Sequence, residues 1–260
     1  MRHRLRRMMA GLLTLGSFCA ILTAWQDAPR AAPGLSLQSI LELEHTARLL
    51  AILLDSGRAV VNENQARVDD PSTVEKRFTP DVFERQLTDM FQARAGINLQ
   101  ELETAKLGSR TKSLLKALVA VSKEVVAAAQ QEINRQGVGY KGFIPAVFGA
   151  RVAARFSAQA GVRLKQTSLS PRNSSNRPDA YERSALEAFA DPAYPREKVI
   201  SDLSADSGSL RLMFPLYMTR QCLDCHGEPK GAIDRTGHPR EGSLLGQNAG
   251  AISVLLPVTK

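Results

Sequence analysis

The chain contains one internal repeat, and that repeat limits the folds open to it. Residues 60–99 align without gaps to residues 125–164, at an offset of 65, with 13 identities in 40 positions. The identical pairs are Val60/Val125, Val61/Val126, Gln65/Gln130, Lys76/Lys141, Phe78/Phe143, Pro80/Pro145, Val82/Val147, Phe83/Phe148, Phe91/Phe156, Ala93/Ala158, Ala95/Ala160, Gly96/Gly161 and Leu99/Leu164. Each unit reads as a helix, a turn, a Phe-x-Pro entry into a second helix, then Gly and the start of a strand. Proline suits the first turn of a helix and glycine the position just past its end. Leu37–Leu54 and Leu114–Ile133 carry apolar residues at three- and four-residue steps, the period of an amphipathic helix. Two copies are too few for a solenoid, which needs about three. The expectation is two helical hairpins packed together, the second leading into a sheet.

The C-terminal half changes period. Residues 198–203, a turn at 204–208 and residues 209–218 read as a two-stranded hairpin. Within it Leu210, Leu212 and Phe214 alternate with Ser209, Arg211 and Met213, so one face is expected to be buried. Residues 227–248 are rich in Gly, Pro and charge and read as a loop, after which residues 250–257 return as a strand. Helices followed by strands make the expected class α+β.

Charge is concentrated at the N-terminus. The formal net charge is +8. Five arginines within residues 1–32 oppose one acid, Asp27, so half of that excess lies there. Met1 to Arg7 is basic, Met8 to Trp25 is apolar and uncharged, and small residues follow. Residues 1–32 therefore read as a secretory signal peptide or, since the apolar run is long, an uncleaved N-terminal anchor. Cys19 is a weak lipidation site, because Phe18 occupies a position where a small residue is expected. The body is expected in the periplasm, touching a membrane only through that anchor. The remaining basic excess suits acidic partners. No basic run interleaved with aromatics supports nucleic-acid binding.

Of three cysteines, one lies in the export segment and two stand as Cys222-Leu-Asp-Cys225-His226. This is the attachment pattern of c-type haem. Two thiols at that spacing add to the two porphyrin vinyl groups, and the adjacent imidazole is set under the iron as proximal ligand. Cys222 and Cys225 are thus the expected attachment residues of one covalent haem c, and His226 its iron ligand. Two other readings compete. Zinc would require four ligands, which Cys222, Cys225, His226 and His238 supply in number, although adjacent Cys225 and His226 seldom reach one ion together. A redox Cys-x-x-Cys would require a helix N-terminus in a βαβ context, and the flanks here are strand-like.

A polar cluster runs from Ser170 to Glu182. Asp179 with Glu182 three residues on reads as a helix capping box. Arg172 is either an ordinary loop residue or the partner of a haem propionate, since an Arg–carboxylate pair is the usual way to hold one.

Several of these blocks together resemble one bacterial family. They are Gly57-Arg-Ala-Val-Val, the Lys-x-Phe-x-Pro segments, Lys141-Gly-Phe-Ile-Pro-Ala-Val-Phe148, Arg172-Asn, Asn176-Arg-Pro-Asp179-x-Tyr-Glu182, Cys222-Leu-Asp-Cys-His-Gly227-x-Pro-x-Gly231-x-Ile-Asp234-x-Thr-Gly and Gly250-Ala-Ile-Ser-Val. The family is that of c-type haem proteins with a PAS-like haem domain. It includes a cyanobacterial photosystem-II-associated haem protein and extracytoplasmic sensor domains of kinases and chemoreceptors. The resemblance runs from about Arg58 to the C-terminus. It implies a PAS-like antiparallel sheet with packed N-terminal helices and the haem on a long loop between two strands. Residues 33–135 would be the helical region with the first repeat unit, residues 136–260 the haem domain, and 33–260 one structural unit. In the photosystem-associated relative a helix cysteine is the distal haem ligand. No cysteine remains here for that role, so the distal candidates are His45, Met90, Met213, Met218, His238 or a water.

Two functions stay open. One is a redox or small-ligand sensing module for NO, CO or a similar gas, acting through a protein partner because no output domain precedes Lys260. The other is a periplasmic electron-transfer cytochrome. An enzyme is not expected, since no distal acid–base constellation is visible.

Overall fold

The computed structural model describes residues 35–204 and 208–258. The segment read as a signal peptide or anchor, residues 1–32, lies outside the described residues. From Leu37 onward the chain forms one compact unit. Among the described residues no helix is long and apolar enough to cross a membrane.

The first half is the repeat in three dimensions. Helix α1 (Leu37–Glu63), the short α2 (Gln65–Asp69) and α3 (Pro80–Ala95) are followed by α4 (Ser109–Ala128), α5 (Gln130–Ile133) and α6 (Pro145–Ala160). Pro80 and Pro145 each open a helix, and Gly96 and Gly161 each close one at φ 69° and 64°. Only glycine enters that left-handed region at little cost.

The two copies meet through equivalent positions. Thr46 and Thr111 join hydroxyls at 2.8 Å, and Phe83 and Phe148 stack with ring centroids 5.3 Å apart. The Lys76 N–H donates to the Asn134 side chain at 3.4 Å, and the Lys141 N–H donates to the Asp69 side chain at 3.0 Å. The first two contacts join positions 65 apart, and the last two exchange under that offset (76 with 141, 69 with 134), the self-complementary pattern of a local two-fold. Phe78, Phe83, Phe91 and their counterparts Phe143, Phe148 and Phe156 are all fully buried.

The copies then diverge. Past Gly161 the chain enters β1 (Arg163–Thr167), but past Gly96 it makes a 3-10 turn at Leu99–Glu101, begun by the Asn98 side chain accepting from the Gln100 N–H. The strand expected in the first copy is absent. A strand needs a ladder partner, and the described sheet pairs β1 alone from the two units.

Helix α7 (Ala180–Ala190), β2 (Ile200–Ser204), β3 (Ser209–Tyr217), the short α8 (Leu223–His226) and β4 (Asn248–Pro257) complete the fold. The sheet has four antiparallel strands in the order β1-β4-β3-β2. This is the α+β architecture expected. Leu210, Leu212, Ile252, Val254 and Leu256 face the helical core, where α1 packs on β3 and β4. The other face is covered too: Met213 and Ala251 are buried under Ala185, Leu186 and Phe189 of α7. The alternation read as burying one face therefore has both faces occupied. Helix α7 opens with the expected capping box of Asp179 and Glu182.

Candidate functional site

β3 and β4 are direct neighbours, yet residues 218–247 separate them in the chain, and the Cys-x-x-Cys-His segment lies on that excursion. Cys222 precedes the single turn of α8, which ends on His226. Both cysteines are half-buried and not joined as a disulfide. Burial pushes the Cys225 thiol upward, with Asp234 nearby adding to the effect. That is the reverse of the lowered thiol a disulfide oxidoreductase needs. His238 is not gathered with the motif, and among the described residues no three His, Cys, Asp or Glu side chains cluster as a metal centre.

The excursion is pinned by Asp234 and Arg172. Buried Asp234 accepts from the Thr236 N–H and hydroxyl at 2.7 and 2.6 Å and from the His238 N–H at 3.2 Å. Arg172 Nη1 donates to Asp234 Oδ2 at 2.6 Å, and Nη2 donates to the Cys225 carbonyl at 3.0 Å. Burial opposes charge on Asp234, but these donors, Thr236 and Arg172 foremost, hold its carboxyl well below the usual range. The loop is tied to the helical half where Arg235 Nη1 meets Asp69 Oδ2 at 3.0 Å.

The remaining donors of Arg172 serve Glu241. Arg172 Nε and Nη2 grip the two Glu241 oxygens at 2.7 and 2.9 Å, and Glu241 Oε2 lies 2.8 Å from His226 Nδ1. A hydrogen bond at Nδ1 leaves Nε2 as the free ring nitrogen. Arg172, read as either a loop residue or a propionate partner, is thus engaged by the motif loop itself and does not line the cavity described next.

A cavity of about 630 Å³ lies between α1 and the ends of β3 and β4. Arg48, Ile52, Asp55, Ala59 and Asn62 form its α1 wall, at steps of three and four that set them on one helix face. Opposite are Phe214 to Tyr217, Thr219, Cys222 and Ala249. Asp55 is paired with Arg58 and Arg94, each at 2.6 Å. Arg48 and Arg196 also line the cavity and have no carboxylate partner among the described residues, while Arg196 stacks over the Tyr217 ring at 5.2 Å. The size falls within the ~300–1,000 Å³ of cofactor sites, and the wall mixes apolar side chains such as Ile52, Phe214 and Leu216 with several charges, arginines foremost. Of the motif, Cys222 lines this cavity while Cys225 and His226 do not; a thiol on the wall and cations for carboxylates are chemistry that suits a haem with acidic side chains.

None of the distal candidates lines this cavity. His45 is exposed over a separate groove with Gly96 to Asn98, and His238 is exposed on the loop. Met90 packs at the edge of the helical core and Met213 lies under α7. Met218 is tied by its backbone to Gln247 and Gly246. Sequence reasoning missed Glu241, Arg48, Arg196 and Asn62. Glu241 is one acid in a charged loop and has no local signal. The α1 wall did have one: Arg58 and Ala59 belong to the Gly-Arg-Ala block that carried the resemblance.

Among curated proteins, none matches the chain. The crystal structure of the cyanobacterial haem-protein Tll0287 is similar at 17% identity and a TM-score of 0.39, over 57% of this chain and 94% of that one. The model of the Tll0287-like family matches residues 37–257, nearly all of the compact unit. The chain belongs to the Tll0287-like family.

Proposed function

We propose that this is an exported, PAS-like mono-haem c-type protein that senses a redox change or a small ligand such as NO or CO and passes the signal to a protein partner. Cys222 and Cys225 would hold the haem as thioethers, each S–H adding across one vinyl group with no outside oxidant. His226 would bind the iron through Nε2, its Nδ1 being committed to Glu241. Arg48 and Arg196 would pair with the propionates, since Arg172 is engaged within the motif loop. Haem supplies one-electron redox chemistry and, where its second axial position is open, a site for a diatomic ligand.

The observation that carries the sensing reading is the α1 wall of the cavity. On the cavity that Cys222 borders it presents Asp55 and Asn62 and neither His nor Met, the second ligands an electron carrier would use. Polar groups of this kind would hydrogen-bond a small ligand beside a bound haem rather than occupy its second axial position.

The protein, produced in a host that matures c-type cytochromes and isolated from the periplasm, is tested by haem stain on a denaturing gel and by visible and EPR spectra of both redox states. The expected result is retained stain, its loss in Cys222→Ser with Cys225→Ser, and a five-coordinate ferrous haem that binds CO or NO. A stain that survives the double substitution removes the attachment reading. A six-coordinate low-spin haem in both states replaces sensing with periplasmic electron transfer.

A further inference from the structure

We propose that Glu241, held by Arg172, is the positioning residue of the proximal histidine: its carboxylate fixes the His226 imidazole and strengthens it as an iron donor. The proposal rests on the haem reading above and concerns residues of this chain alone.

Glu241 is partly exposed, and a solvent-exposed ion pair contributes little by itself. Three features set this one apart. First, both carboxylate oxygens are engaged by one planar guanidinium at 2.7 and 2.9 Å, the bidentate geometry that fixes orientation as well as distance. Second, that guanidinium is anchored to the motif, through the Cys225 carbonyl at 3.0 Å and the buried Asp234 carboxylate at 2.6 Å. Third, the backbone beside Glu241 is joined to the histidine it serves: the Ser243 N–H donates to the His226 carbonyl at 2.7 Å. Between them Gly242 turns at φ +75°, where any side chain would be strained and would press on Glu228 and Lys230. Ring, carboxylate and guanidinium are therefore placed by one loop that closes on itself.

The consequence follows from how imidazole binds metals. A ligating histidine that donates Nδ1–H to a carboxylate has its tautomer and ring plane set, and it gains basicity at Nε2. A more basic proximal ligand favours ferric over ferrous iron, so the reduction potential falls. Arg172 limits the effect, because the charge that Glu241 offers the ring is shared with the guanidinium.

The test uses the full holoprotein as wild type, Glu241→Gln, Glu241→Asp and Glu228→Gln, the last removing a neighbouring acid that does not touch His226. Haem stain, midpoint potential and the ferrous iron–histidine stretching band in resonance Raman are read for each. Glu241→Gln is expected to keep its stain, raise the potential and move the band to lower frequency. Glu241→Asp, which keeps the carboxylate on a shorter arm, should return part of both shifts, and Glu228→Gln should match wild type. Stain present in every variant with the potential and band unchanged in Glu241→Gln overturns the role of Glu241 and leaves the haem reading standing. Absence of stain in the wild type overturns both.

Discussion

At the residue scale, Asp234 and Arg172 have the most consequence outside the ligand set. The motif was legible because its spacing is local, but what holds it is not: Arg172 lies far upstream in the chain from Asp234 and Glu241. Read as either a loop residue or a propionate partner, Arg172 has its carboxylate partners, Asp234 and Glu241, within the motif loop. Asp234 makes a pH prediction. Its folded value is lowered, so its stabilising contribution is complete above the unfolded carboxylate value of about 4 and is lost as pH falls through the folded value. Thermal melts across acid pH should therefore show wild type losing more stability below about pH 4 than Asp234→Asn, which has no such proton to take up. Equal acid slopes would remove this account of the loop.

At the element scale, the repeat specified helix starts and ends closely. Phe-x-Pro and the closing glycines act through neighbouring residues, so Pro80, Gly96, Pro145 and Gly161 read correctly without any tertiary information. Helix lengths read less well. The α1 pattern extends to Glu63, beyond the periodic stretch at Leu54, because Gly57, Arg58 and Ala59 obey packing against α6 and the cavity rather than simple amphipathicity. Gly57 of α1 lies directly under the Phe148 ring of α6. A Cβ there would lie 2.7 Å from the Phe148 ring, the ring that stacks on Phe83. Gly57→Ala is expected to destabilise by about 1–3 kcal/mol through overpacking, despite its better helix propensity. A denaturant melt checks it, and a stabilised variant would mean that the two-fold contact is loose. The missing strand after Gly96 has the same lesson in reverse: Ile97-Asn-Leu99 and Val162-Arg-Leu164 share one apolar alternation, and only the second, with a partner edge in β4, enters a strand.

At the scale of the whole molecule, the helical repeat and the sheet meet to make the cavity, and its chemistry belongs to neither alone. Arg48 comes from α1 and Arg196 from the approach to β2. A cation beside the cofactor favours the reduced form, since it offsets the extra electron. Arg48→Gln together with Arg196→Gln should therefore lower the midpoint potential while leaving haem stain intact, opposite in sign to Glu241→Gln. A potential that does not move would take the propionates away from these two arginines.

The sequence by itself determined what depends on short-range chemistry. That covers the repeat and its helix boundaries, the α+β class, the hairpin of β2 and β3, and the Cys222, Cys225, His226 triplet on a long excursion. Tertiary structure alone decided what crosses the molecule: the covering of the sheet's second face by α7, the α1 wall of the cavity, and the Arg172–Glu241–His226 chain. The physical reason is range. Backbone conformation and motif spacing are set by neighbours a few residues apart, whereas a carboxylate finds its partner only after the chain has folded back and excluded the water that would otherwise solvate it.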